Sequence, residues 1–88
     1  MNLERRFDRG LKMMVQANGS NDLVIIKGFN RRWLSEARED PDREELILEM
    51  LPKKLHMQLL RRGIYEIGFG LDTVYIEVYG HGKIDTDW

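Results

Sequence analysis

The sequence predicts a small α+β protein whose three-stranded, mainly antiparallel sheet ends in a C-terminal β-hairpin. Three observations support this class. The run from Leu23 to Ile26 is short, apolar and rich in β-branched residues, which is typical of a strand. Two alternating segments separated by a four-residue turn follow residue 63, and helical periodicity fills much of the remaining chain. At 88 residues, the chain is long enough for one modest hydrophobic core.

The first segment, residues 2–17, is predicted to be an amphipathic helix that packs on the sheet. Its apolar stripe recurs at helical spacing and comprises Leu3, Phe7, Leu11, Met14 and Val15. The sequence Asn18 to Asn21 then reads as a stop signal, because Gly19 suits a left-handed helix cap. The first strand is expected at residues 22–28, inside the sheet and covered on both faces.

Two to three helices are predicted between this strand and the hairpin. The first covers residues 30–39, with Asn30 as its N-cap and Trp33 in the core. The second covers residues 42–51 and begins at a D-x-x-E pattern that resembles a capping box. The third covers residues 52–62, because proline breaks the preceding helix and suits the first position of the next one.

The hairpin has a defined register. Closing its turn between Gly70 and Thr73 places three apolar pairs on the core face, namely Phe69 opposite Val74, Ile67 opposite Ile76 and Tyr65 opposite Val78. The strands are expected at residues 64–69 and 73–79. We predict one domain over residues 1–80 and a short C-terminal tail over residues 81–88.

Composition restricts the classes of function. A net charge of −1 argues against a general polyanion-binding domain. The absence of cysteine excludes a disulfide framework and a thiolate metal site, and it fits a cytoplasmic setting. The longest apolar run has four residues and no secretory leader begins at Met1, so we expect a soluble protein without a membrane partner.

The outward face of the hairpin is the first candidate site. Ile64, Tyr75 and Tyr79 are too apolar for a solvated sheet face, so either the N-terminal helix covers them or they bind a partner. Trp88 either folds back as a clamp or serves as an aromatic anchor. The leading hypothesis is a non-enzymatic protein-binding module, of the adaptor, inhibitor or assembly type, that binds another protein or a second copy of itself.

Charges are segregated along the chain. Residues 36–49 carry seven acids against two bases, whereas residues 53–62 carry four bases and no acid. Both segments can be solvated helix faces or docking surfaces. On the third helix, one basic and amide-bearing face can contact phosphates and base edges through Lys54, Gln58, Arg61 and Arg62.

The predicted order of helix, strand, helices and hairpin resembles that of winged helix-turn-helix domains. This resemblance implies that the helix after Pro52 reads a DNA groove and that the turn from Gly70 to Thr73 acts as a wing. A DNA-binding regulator is therefore the alternative hypothesis. Asp72 counts against it, because a wing tip with an acid and no base repels phosphate.

Catalysis has the weakest support in the sequence. Glu66 and Glu77 are predicted directly opposite each other, and such a pair could bind a metal ion or perform acid–base chemistry. The histidines, His56 and His81, and the serines lie in no catalytic motif. We therefore predict no catalytic residue, no metal site and no cofactor, with the two glutamates as the one alternative.

Overall fold

The computed structural model describes residues 3–7, 10–62, 64–80 and 84–85, of which residues 3–7 are described by their backbone. These residues form five strands and three helices: β1 (Leu3–Phe7), β2 (Leu11–Asn18), β3 (Asn21–Lys27), α1 (Arg31–Arg38), α2 (Arg43–Met50), α3 (Lys53–Arg62), β4 (Tyr65–Phe69) and β5 (Thr73–Val78). The strands make one antiparallel sheet in the order β1-β2-β3-β5-β4. The α+β class is confirmed.

The predicted N-terminal helix is wrong, because the segment forms strands β1 and β2 instead. Burial along β2 alternates, with Leu11 and Met13 in the core, so the apolar residues follow a period of two as well as the helical period. Gly19 lies in a two-residue loop between the paired Asn18 and Asn21, with a φ of 66°. Primed hairpin turns require such a positive φ. With β1 and β2 added, the sheet has five strands instead of the predicted three.

The core lies between the helices and one face of the sheet. Buried strand residues on that face include Val24 and Ile26 on β3 and Val74, Ile76 and Val78 on β5. The helices contribute the residues that close this core, which are Leu34, Ala37, Ile47, Leu48, Leu55 and Leu59. No helix among the described residues is long and apolar enough to cross a membrane.

The predicted hairpin register is confirmed, with all three apolar pairs in place across β4 and β5. The Gly70 N–H donates to the Thr73 carbonyl at 2.7 Å and closes the turn. The predicted N-cap of α1 is also correct, since the Asn30 Oδ1 accepts from the Trp33 N–H at 2.9 Å. The Trp33 ring is partly buried against the core and stacks on Phe29 with 5.9 Å between ring centroids.

The capping box predicted at the start of α2 is not formed. Asp42 precedes α2 but makes no side-chain capping bond, and the Asp40 Oδ1 instead accepts from the Asp42 N–H at 2.8 Å. Ile84, in the segment predicted as a tail, is buried in the core. Its N–H donates to the Oδ2 of the buried Asp22 at 2.6 Å, which attaches this segment to β3. The boundary between domain and tail stays a prediction.

Candidate protein-binding face

The sheet has a second face, the outer face, that no helix covers within the described ranges. Successive side chains of a strand point to opposite sides, so this face is built from the residues that alternate with the buried ones. Almost all of these side chains are half-buried or exposed. Where side chains are described, on β2 to β5, the outer face is therefore in contact with solvent. The opposite face packs in the core.

Strand pairing arranges the outer face in three rows that run across the strands. The basic row pairs Lys12 with Lys27. The central row contains Met14, Ile25, Tyr75 and Gly68. The acidic row contains Gln16, Leu23, Glu77 and Glu66. Neighbouring rows are two residues apart, which is about 7 Å along a strand, so the basic and acidic rows lie about 13 Å apart on either side of an apolar centre.

The acidic row brings two carboxylates together. Glu66 is directly opposite Glu77, as the sequence predicts. Two amide groups stabilise the Glu77 carboxylate. The Nδ2 groups of Asn18 and Asn21 donate to its Oε2 at 2.9 and 3.2 Å. In the described part of the chain, no group of three or more histidine, cysteine, aspartate or glutamate side chains could hold a metal ion.

Tyr79 borders the acidic row. Its hydroxyl donates to Oε1 of Glu77 at 3.5 Å. Partial burial raises the pKa of Tyr79 above its ordinary value of 10.0, and the nearby carboxylates of Glu66 and Glu77 raise this pKa further.

The structure divides the residues that the sequence predicts as one binding patch. Ile64 and Tyr79 are neighbours, since the Tyr79 N–H donates to the Ile64 carbonyl at 3.1 Å, and Ile64 is exposed. Tyr75 lies beyond the acidic row and opposite Ile25. Trp88 lies outside the described residues. The apolar centre of the outer face is therefore the central row, and only Tyr75 of the predicted residues belongs to it.

Sequence reasoning missed Met14 and Ile25. Met14 was expected on the apolar stripe of a helix, and Ile25 in a strand covered on both faces. Two signals in the sequence could identify them. Apolar residues occupy both odd and even positions of β3, and the N-terminal segment also fits the period of a strand. Because β1 and β2 extend the sheet sideways, they leave the outer face of β3 and β5 uncovered by any described helix.

The outward side of α3 is a second surface, on the opposite side of the molecule. A shallow groove of about 390 Å³ there is lined by Lys54, Met57, Gln58, Arg61 and Asp85. Lys54 and Arg61 are exposed, whereas Arg62 is half-buried. Only part of the predicted basic face therefore meets solvent as one surface.

Gln58 is engaged within the protein. Its Nε2 donates to the Asp85 carbonyl at 2.8 Å, and its Oε1 accepts from the Asp85 N–H at 2.7 Å. Both polar atoms of the amide therefore have partners in the chain's own backbone. This arrangement occupies the groups that would otherwise pair with a base edge.

The hairpin turn is also bonded to the helical side of the molecule. A guanidinium Nη2 of Arg38 donates to the Gly70 carbonyl at 2.6 Å, and the Phe29 N–H donates to the Asp72 carbonyl at 3.1 Å. The Asp72 carboxylate accepts from the Thr73 hydroxyl at 2.9 Å. No residue of the turn itself is a base, and the guanidinium bonded to it belongs to Arg38 of α1.

Comparison with models of protein families, with curated proteins and with solved structures finds no match for this chain.

Proposed function

We propose that this chain is a small protein-binding module without enzymatic activity of its own, and that the outer face of its sheet is the docking surface. The central row carries this proposal. Met14, Ile25 and Tyr75 cross the middle of a face that no described helix covers, and Tyr75 is 42% exposed. Covering this row would remove apolar area from water, which contributes about 25 cal/mol per Å².

The charged rows give the same face a polar rim. An apolar centre with a polar border is the usual arrangement of a specific interface, in which the border fixes orientation more than affinity. Tyrosine suits the centre, because it buries a large ring while its hydroxyl can still find a partner. A cytoplasmic setting for this activity is part of the proposal, in keeping with a chain that has no cysteine.

A capture experiment from host extract tests the docking surface with two matched variants. Tyr75→Lys places a charge in the central row, and Leu60→Lys places the same charge at an apolar position of α3 that is 59% exposed. We expect Tyr75→Lys to reduce capture of the partner by at least about tenfold, because a charge would be buried in the interface. Leu60→Lys should capture the partner as well as the wild type does. If Leu60→Lys lost the partner and Tyr75→Lys kept it, the docking surface would be α3 and not the outer face.

A second candidate function is DNA binding by the outward side of α3. Lys54 and Arg61 are exposed there, on a helix that carries no acid. Such cations contact phosphates without reading sequence. Salt-dependent retention of duplex DNA is the measurement that tests it.

A further inference from the structure

We infer that the partner on the outer face is a second copy of this chain, bound face to face about a twofold axis that runs along the central row. This inference rests on the proposed function, since it names the occupant of the same surface. The pattern of charge on the outer face carries it. The face has lysines at one end of its strands and glutamates at the other, with an apolar row midway between them.

A twofold axis within a face-to-face interface can lie along the strands or across them. In aligned packing, the strands of two sheets stay within about 30° of each other, and these two axes are the ones that give aligned packing. An axis along the strands would place the basic row on the basic row of the second copy and the acidic row on the acidic row. An axis across the strands places each basic row on the acidic row of the other copy. Charge therefore selects the second arrangement.

The central row makes that axis self-complementary. Met14, Ile25 and Tyr75 lie midway between the charged rows, so each would meet the same residue of the second copy. Gly68 continues the row on β4 and has no side chain to hold the sheets apart. The apolar residues would thus form the dry centre of an isologous interface.

Lys27 and Glu77 form the charge pair that this arrangement brings closest. They lie on adjacent strands, β3 and β5, one in the basic row and one in the acidic row. After rotation about the axis, Lys27 lies above the acidic row of the second copy, one strand away from Glu77. Adjacent strands are about 4.8 Å apart and packed sheets about 10 Å apart, which is within reach of the two side chains pointing toward each other. The twofold axis makes this pair twice.

The size of the face sets the expected strength. The five described strands average about six residues, which gives a face of roughly 24 by 20 Å. Two such faces bury on the order of 1,000 Å² in total, which is near the lower limit for a specific interface. We therefore expect a reversible dimer with a dissociation constant above about 1 μM.

Reversal of single charges tests the arrangement by sedimentation velocity over a range from about 10 μM to about 1 mM. In Lys27→Glu, positions 27 and 77 are both acids. In Glu77→Lys, both positions are bases. Each variant alone should dimerise at least about tenfold more weakly than the wild type, because both pairs become repulsive. Lys53→Glu changes an exposed lysine of α3 and should leave dimerisation unchanged.

Mixing the two variants tests whether the lost charge pairs account for the loss of dimerisation. In a heterodimer of Lys27→Glu with Glu77→Lys, both pairs again join a base to an acid. The mixture should therefore associate to within about twofold of the wild type, while neither variant does so alone. Recovery in the mixture shows that charge controls association, and the loss in each single variant identifies the arrangement. If like rows faced each other, reversal of one charge would add no repulsion and neither variant would weaken the dimer.

Thermal unfolding of each variant shows that it is folded. Should Glu77→Lys not fold, Glu77→Gln keeps an acceptor for Asn18 and Asn21 and should weaken dimerisation in the same direction. A monomeric wild type across the concentration range overturns the inference, as does a dimer that Lys27→Glu leaves intact or a mixture that stays monomeric. Capture of a foreign protein that depends on Tyr75 would then still support the proposed function, so the two failures are distinguishable.

Discussion

At Gly28 two backbone segments approach so closely that a side chain does not fit. A Cβ atom built there would lie 2.9 Å from the Gly10 carbonyl oxygen, and its φ of 101° is one that other residues rarely adopt. Gly80 has a similar φ of 117°, but among the described residues no atom beyond its chain neighbours lies within 4 Å of its Cβ position. The two glycines therefore separate the cost of backbone conformation from the cost of a steric clash.

We predict that Gly28→Ala destabilises the protein more than Gly80→Ala does. The change at Gly80 should cost about 1–3 kcal/mol, because it forces alanine into an unfavourable region. The change at Gly28 adds the displacement of the Gly10 carbonyl, which belongs to the backbone and cannot rotate away. Urea unfolding of the two variants measures the difference, and equal losses would show that the approach at Gly28 is not limiting.

Individual elements differ in how well the sequence predicts them. The β4–β5 hairpin is predicted with its register, because a one-residue shift would move every apolar side chain to the outer face. The N-terminal segment is predicted wrongly, because its apolar residues fit both a helical stripe and strand alternation. Local spacing cannot choose between these periods. Pairing with β3 supplies the backbone partners that favour the strand.

At the level of the hairpin, we predict that Glu66→Gln stabilises the fold. Glutamates directly opposite each other repel, and removal of one charge should raise the free energy of unfolding by about 0.2–1 kcal/mol at low salt. Added salt should reduce this gain, because it screens the repulsion. Glu49→Gln, which removes an exposed charge from α2, is the control and should change stability less. A gain that persists unchanged at high salt would contradict the electrostatic cause.

The whole molecule presents different chemistry on its two sides. The outer face carries the three rows, and the helical side carries the exposed Lys54 and Arg61 of α3. The core lies between these surfaces, so a charge reversed on one of them lies far from the other. Exposed charges that are more than a Debye length apart, about 8 Å at physiological salt, are largely screened from each other.

We therefore predict that the double variant Lys54→Glu with Arg61→Glu changes DNA retention without changing self-association. If the wild type retains duplex DNA, the double variant should lose this retention and its salt dependence, since two phosphate contacts become repulsive. Lys12→Glu, an exposed lysine of the basic row, is the control on the opposite side. Absence of salt-dependent retention by the wild type, or its persistence in the double variant, would remove the second candidate function.

The α+β class, the Asn30 cap and the register of the β4–β5 hairpin could all be predicted from the sequence alone. These depend on residues close together in the chain, through a capping bond, a short turn and strict alternation. Long-range contacts establish that residues 3–7 and 11–18 join the sheet, that Gln58 bonds to Asp85, and that Met14, Ile25 and Tyr75 share one row. Each of these depends on a partner distant in sequence, and the hydrogen bonds and burial that it supplies are not encoded in local periodicity.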